Sequence, residues 1–345
     1  MNEIRLPDQG QSASPSAGAK AGGPGTAAPD RGPRNRALDG SVCLLLRGVL
    51  GVFRILPGPL ARLLGRNLGR LVWACSGRYR RQVLRHMQIA LGDSVPEAER
   101  RRLCRRNFEH LGLFVAEFSR LGKLTKDNLA QLVDCSELKV LDQLLARQKG
   151  KGLLCVPAHH GNWELGGYAM GLQGYPIHSV ARPLDNPPLN QLVDGIRERS
   201  SNRIIHKWQV LWKLKKLLDH GGIVTMSVDQ NGGVAGLFAP LFGVAASTVT
   251  SPAELHLATG APIVVVTLNR QPCGVRHVFR VWGVIEHRPT PDHAADLRAV
   301  IMQIHAAYEQ AIRSYPEQWL WVHRRWKTRP PGEQPCPDGL PPKSA

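Results

Sequence analysis

Val156-Pro157-Ala158-His159-His160-Gly161-Asn162-Trp163-Glu164-Leu165 is the stretch from which the fold can be reasoned. The apolar run Gly152 to Val156 leads into it, and the apolar, small-residue run Leu165 to Leu172 leads out. That pattern predicts a strand, a tight turn and a helix, with two histidines at the turn and a glutamate in the first helical turns. Two residues five apart on one regular helix lie about 140° apart and do not meet. With His159 in the turn before the helix, Glu164 can point back toward it, because helical side chains tilt toward the N-terminus. A carboxylate on one imidazole nitrogen leaves the other free to take a proton. The pair is then a base with its orienter, and the nucleophile comes from the substrate. The same residues also suit a helix cap, or packing beneath a sheet. A metal site from His159, His160 and Glu164 is a weaker alternative, since adjacent histidines diverge and the HExxH spacing is absent.

Downstream, strand and helix patterns alternate. Strands are expected at 152–156, 177–181, 222–228, 262–268 and 278–285. Helices are expected at 163–172, 188–200, 208–220, 252–259 and 295–314. The alternation predicts an α/β sheet with helices on its faces. Sites in such sheets collect at the carboxyl ends of strands. His159 follows the first of these strands, Arg182 the second and Asp229 the third. Asp229 has three candidate roles, orienting His159, the acceptor or Arg182. The apolar segment Gly232–Ser251 reads either as a groove lining or as a loop tucked into the core.

Upstream, residues 1–38 are rich in Gly, Ala, Pro and Ser and predict a disordered tail without the apolar core of a signal peptide. From Val42 to Leu64 the chain turns apolar, interrupted by Arg47 and Arg54 and broken at Pro57 and Pro59. It is too short for a comfortable span and fits an amphipathic helix in a membrane interface over 39–72. A helix docked on the protein's own core, or a span with snorkelling arginines, would carry the same pattern. Residues 80–147 read as helical, with a helix start at Asp93-Ser94-Val95-Pro96-Glu97. The main domain is expected over 73–330 and a flexible tail over 331–345.

The 345 residues carry a formal charge of +18, with a pI near 10.2. Such a surface attracts nucleic acid, anionic headgroups or an acidic protein. No nucleic-acid module is recognised, so nucleic-acid binding is the distant alternative. No GxGxxG or P-loop occurs, and no cofactor is expected. The seven cysteines are scattered, without a CxxC pair, which predicts reduced thiols, a cytoplasmic setting and no structural zinc. Trp319-Leu320-Trp321-Val322-His323-Arg324-Arg325-Trp326-Lys327-Thr328-Arg329-Pro330 interleaves aromatics with cations. It would place rings at an interface and cations on phosphates, would equally serve nucleic acid, or packs its tryptophans inside with the arginines exposed.

Several ordered blocks together carry a resemblance. They are His159-His160-Gly161-Asn162-Trp163-Glu164, Ala181-Arg182-Pro183-Leu184-Asp185-Asn186-Pro187, Val228-Asp229-Gln230, Pro240-Leu241-Phe242-Gly243, and Pro316-Glu317-Gln318-Trp319 through Pro330. From about Leu44 to Pro330 the sequence resembles the bacterial lipid A late acyltransferases, the lauroyl/myristoyl transferase family, which also includes phosphatidylinositol mannoside acyltransferases. His160 departs from the family, whose members commonly carry Phe there, and adds a second imidazole at the mouth of the expected site. The resemblance implies a glycerol-phosphate-acyltransferase-like mixed sheet flanked by helices, with an N-terminal membrane-associated helix, on the cytoplasmic face of the inner membrane. It implies transfer of a fatty acyl group from acyl carrier protein, or coenzyme A, to a hydroxyl of a glycolipid acceptor, without metal, cofactor or nucleic acid. His159 and Glu164 would be catalytic. Arg182, Asp229 and Asn162 would stabilise the oxyanion or position substrate, and Arg324, Arg325 and Lys327 would contact the donor or a headgroup.

Overall fold

The computed structural model describes residues 36–343 except 93, 149, 207–210, 335 and 337–338. Most of the expected disordered tail, Asp93 of the expected helix start and the first residues of the helix expected at 208–220 fall outside them. Four helices open the described chain: α1 (Arg36–Ile55), α2 (Gly58–Cys75), α3 (Gly77–Leu91) and α4 (Glu97–Phe118). Pro57 divides α1 from α2, as a residue without a backbone donor at a helix N-terminus does. α2 and α4 approach at backbone contact. A Cβ on Gly69 would lie 2.1 Å from the Phe108 carbonyl oxygen, and one on Gly112 would lie 2.0 Å from that of Gly65. The Gly65-xxx-Gly69 spacing makes this crossing possible. α1 buries Cys43 and Phe53 but leaves Leu44, Leu45, Val52 and Ile55 exposed, and α2 leaves Leu60, Leu63, Leu64, Leu71 and Val72 exposed. No helix among the described residues is long and apolar enough to cross a membrane.

A short α5 (Lys126–Leu129), the two-residue β1 (Val133–Asp134) and α6 (Lys139–Arg147) lead into the alternating region. There the order is β2 (Leu153–Gly161), α7 (Trp163–Leu172), β3 (Ile177–Ala181), α8 (Pro187–Arg197), β4 (Arg203–His206), α9 (Leu211–Asp219) and β5 (Ile223–Thr225). It continues with β6 (Leu237–Leu241), β7 (Val244–Thr248), α10 (Ser251–Thr259), β8 (Ile263–Arg270), β9 (His277–Ile285) and α11 (His293–Ser314). The seven-stranded sheet has the order β1-β9-β8-β2-β5-β3-β4. Its pairs are parallel except β8 with β9, so the mixed α/β sheet flanked by helices is as expected. β2 is central and buried on both faces, which is why it begins as a continuous apolar run. Leu154 and Val156 enter one core cluster with α10 and α11, while Leu153 and Cys155 enter another with α6 and α7.

Two local expectations resolve. Gly232–Ser251 meets both readings in part, Val249 and Ser251 lining a cavity and the middle tucked into the core, but as a hairpin and not as a loop. It contains the β6–β7 hairpin, turned by Phe242 and Gly243, both at positive φ. Its alternate residues Ala239, Leu241, Val244 and Ala246 are buried in the core, as a half-buried hairpin dictates. Of the readings open to the 319–330 segment, packing holds for the tryptophans and an interface does not, because Trp319, Trp321 and Trp326 are all buried.

Candidate active site

β2 runs further than its apolar stretch suggests, through His159 and His160 to Gly161. The histidines therefore sit in the last residues of a strand, not in a turn, and neighbours on a strand point to opposite faces. His159 borders a cavity of about 1390 Å³. His160 is fully enclosed, its ring held by the Tyr315 carbonyl (3.0 Å) and the Asn269 amide (2.9 Å), so it is not the second imidazole expected at the mouth. The chain leaves the strand at Gly161, where φ is +64° and a Cβ would lie 1.9 Å from the Leu268 carbonyl oxygen. Only glycine fits there. Asn162 then caps α7, its Oδ1 accepting from the Leu165 N–H at 3.0 Å.

β5 is the neighbour of β2, and the chain beyond its carboxyl end brings Asp229 against His159. Asp229 Oδ1 lies 2.7 Å from His159 Nδ1, and Oδ2 accepts from the His159 backbone N–H, also at 2.7 Å. The Trp319 indole N–H donates to the same Oδ2 at 2.9 Å. Two donors on Oδ2 and the imidazole on Oδ1 fix the carboxylate plane. The imidazole therefore presents Nε2 as its free nitrogen, with the Gln230 amide nitrogen 3.5 Å away and the Trp163 ring edge-on at 5.2 Å.

Burial works to lower the basicity of His159, but the charge and hydrogen bond of Asp229 outweigh it and raise its pKa above the ordinary 6.5. Burial likewise opposes ionisation of Asp229, yet His159 and the Trp319 hydrogen bond bring its pKa down to about 2. The pair is thus a carboxylate beside an imidazole with strengthened proton affinity, the electrostatics of a general base and its holder.

The other expected residues fall in different places. Glu164 lines the cavity but makes no hydrogen bond to His159. Its two oxygens take a bidentate grip from Arg197, at 2.8 and 2.5 Å. The imidazole is held by Asp229, because β5 delivers a carboxylate to Nδ1 while the first turn of α7 carries Glu164 toward α8. Arg182 stands on the cavity rim with its side chain 57% exposed, 3.4 Å from Asp185. Asn162 is wholly buried, its amide nitrogen donating to Glu117 at 2.7 Å, so it shapes the turn and does not face the cavity. Arg325 is also buried, donating to the Gln230 and Ser247 carbonyls and the Thr248 hydroxyl. It ties the hairpin to the loop after Asp229 and cannot meet a headgroup. Arg324 and Lys327 are exposed, on a separate cleft.

The family model for bacterial lipid A biosynthesis acyltransferases matches residues 30–328. The chain belongs to this family. A lipid A biosynthesis lauroyltransferase of Escherichia coli strain K12 is 30% identical over 287 residues, covering 83% of this chain and 91% of the relative. A palmitoleoyltransferase of lipid A biosynthesis from the same strain is 28% identical over 290 residues, with the same coverage. A phosphatidylinositol mannoside acyltransferase of Mycolicibacterium smegmatis is 23% identical over 218 residues, 61% of this chain and 67% of the relative.

The protein is therefore an acyltransferase, and its site includes groups that the sequence pattern alone did not single out. Trp319 lay within an aromatic-cationic run and looked like an interface residue, although an indole N–H in a core needs an acceptor. Glu117 and Arg270 form an enclosed ion pair below the β2–α7 turn, with Glu117 also accepting from Asn162. Burial opposes the charge on Glu117, but Arg270 holds its pKa well below the usual carboxylate range. No local spacing announces a pair so distant in sequence. Arg197, the partner of Glu164, sits at the last turn of α8, outside every motif that the sequence offered.

Proposed function

We propose that the protein transfers a fatty acyl group from a carrier-protein or coenzyme A thioester to a hydroxyl of a lipid A precursor, with His159 as general base. The observation that carries this reading is the free Nε2 of the Asp229-held imidazole, turned into a cavity lined by Trp163, Met170, Met226, Leu268 and Phe279 alongside Glu164 and Arg197. At about 1390 Å³ the cavity exceeds ordinary small-ligand pockets and has room for acyl chains. Its mixed lining suits a substrate with an apolar tail and a polar reacting end.

The acceptor hydroxyl gives its proton to His159 Nε2 as its oxygen attacks the thioester carbonyl. Asp229 keeps the remaining ring proton on Nδ1 and balances the imidazolium. Gln230, whose amide nitrogen is nearest Nε2, donates to the oxyanion. Arg182, at the rim, offsets negative charge on the incoming substrate. The tetrahedral intermediate expels the thiolate, which takes the proton back from His159. No enzyme nucleophile and no cofactor enters the balance. The Glu164–Arg197 pair walls the cavity, and Glu164 acts on His159 through space and not by a hydrogen bond.

The exposed apolar faces of α1 and α2, with their interspersed arginines, support association with the cytoplasmic face of the inner membrane, where the acceptor resides. The similarity to a phosphatidylinositol mannoside acyltransferase supports a second reading, the same chemistry on another glycolipid or lysophospholipid. The test is an acyl-transfer assay in detergent micelles with carrier-protein thioesters of several lengths and a lipid A precursor, read by mass spectrometry. Wild type should add the mass of one acyl chain, and His159→Ala, correctly folded, should lose about 10²–10⁴-fold in rate. Full activity in the folded variant would remove His159 from the mechanism. Thioester hydrolysis without transfer would move the acceptor to another lipid.

A further inference from the structure

A second cleft, of about 640 Å³, lies between α3 and the 324–341 segment. Arg78, Arg81 and Arg85 line one wall at i, i+3 and i+7 of α3, a single helical face, and all three are exposed. Arg324, Lys327 and Arg329 line the other. The carboxylate in the cleft, Glu333, is already engaged with Arg329 at 2.6 Å through both oxygens. Arg85 donates to the Gly339 carbonyl. The side chains of Arg78, Arg81, Arg324 and Lys327 have no hydrogen bond or ion pair to another described residue. Four unpaired cations gathered in one cleft repel each other, and a polyanionic partner relieves that repulsion.

Two observations say what kind of partner. None of the large apolar side chains exposed on the surface lines this cleft, although Tyr79 is exposed next to Arg78 on α3; most lie on α1, on α2 and at the rim of the catalytic cavity. A surface that enters a bilayer combines cations with exposed apolar groups, and this one does not. The cleft also shares a backbone segment with the catalytic pair. Trp319 holds Asp229, His323 Nε2 accepts from the Asn231 N–H at 2.9 Å, and Thr328 accepts from the Asn231 side chain at 2.9 Å. Between those anchors Arg324 and Lys327 turn outward, while Arg329 beyond them is tied to the Ala245 carbonyl and to Glu333. A partner seated here sits on the far side of the strap that positions the base.

We propose that this cleft docks an acidic helix of the acyl-donor protein, the α3 arginines meeting carboxylates at matching helical spacing and Arg324 and Lys327 closing the opposite side. The proposal rests on the carrier-protein donor proposed above. Charge complementarity of this kind sets association rate and partner choice more than bulk affinity.

The test uses two full-length variants, Arg78→Glu/Arg81→Glu/Arg85→Glu and Arg324→Glu/Lys327→Glu, so that misfolding of one leaves the other wall to decide. Their thermal unfolding is checked first. The dissociation constant for fluorescently labelled holo-acyl carrier protein is then measured by anisotropy, and KM is compared for the same acyl group on the carrier protein and on free pantetheine. The dissociation constant and the carrier-protein KM should rise at least about tenfold, while the pantetheine KM stays put, and wild-type binding should weaken steeply with salt. An unchanged dissociation constant in folded variants overturns the proposal. So does a loss of binding to anionic vesicles with carrier-protein binding intact, which would give the cleft to the membrane. Binding is measured without turnover. A wild-type protein that fails to acylate any lipid would sink the functional reading, while the anisotropy result still decides the docking site.

Discussion

His159 is 23% exposed at its side chain and Asp229 only 2%, so the imidazole proposed as base is open to the cavity while the carboxylate that holds it is not. The raised pKa has a signed consequence. The base proposed at His159 must be neutral to act, so the rate should climb with pH through a value above 6.5. In Asp229→Asn the larger of the two carboxylate charges that raise this value is gone, Glu164 and the burial remaining, so the limb should move to lower pH while kcat falls. A pH–rate profile of both proteins checks this, and an unmoved limb would mean that another group titrates. Stability follows from the same pair. A raised His159 pKa stabilises the fold below 6.5 and is lost as pH rises through the folded value. A lowered Asp229 pKa stabilises it above about 3.8 and is lost as pH falls toward about 2. Acid denaturation of wild type but not of Asp229→Asn should therefore show a component in the lower window.

Among the elements, α2 and α4 depend on absent side chains. Gly69→Ala would put a methyl group 2.1 Å from the Phe108 carbonyl oxygen, so the helices must part. Overpacking of this kind costs about 1–3 kcal/mol, and denaturant unfolding should show a loss in that range. An unaltered midpoint would show that the contact yields freely. α4 also carries Glu117, which holds Asn162 and Arg270 below the β2–α7 turn, so slippage of α4 should reach that turn and the end of β2. β2 itself shows why the motif could be located by its residues while its local conformation was misjudged. Polar His159 and His160 broke the apolar pattern that marks a strand, yet pairing with β8 resumes at Gly161 after a register shift, carrying the strand past the histidines.

Over the whole molecule, the +18 charge and the exposed apolar side chains are distributed differently. The apolar groups cluster on α1, α2 and the cavity rim, where Leu184, Leu211 and Trp212 are exposed. The cleft beside α3 is cationic without them. Partition onto anionic vesicles should therefore depend on α1. Burying a leucine or isoleucine side chain is worth about 1.5–3 kcal/mol, so Leu44→Ser/Leu45→Ser/Ile55→Ser should weaken vesicle binding by more than about tenfold. A flotation assay that finds equal binding would assign membrane contact to another surface.

The sequence by itself determined the class of fold, since strands and helices alternate from residue 150 onward, and α7 was delimited residue for residue. It also identified the ordered motifs, with His159 and Asp229 after the first and third of the expected strands, because such spacing is local and survives without coordinates. Only the tertiary structure decided which carboxylate holds the imidazole. Glu164 is five residues away in the chain, but Asp229 is seventy away and arrives through the pairing of β2 with β5. It also decided that Arg325 and Asn162 are internal ties, that Trp319 fixes a carboxylate, and that Arg78 joins Arg324 across a cleft. A one-dimensional pattern reports which residue types are close along the chain. Hydrogen-bond partners and burial are properties of what the sheet and the helices bring together across it.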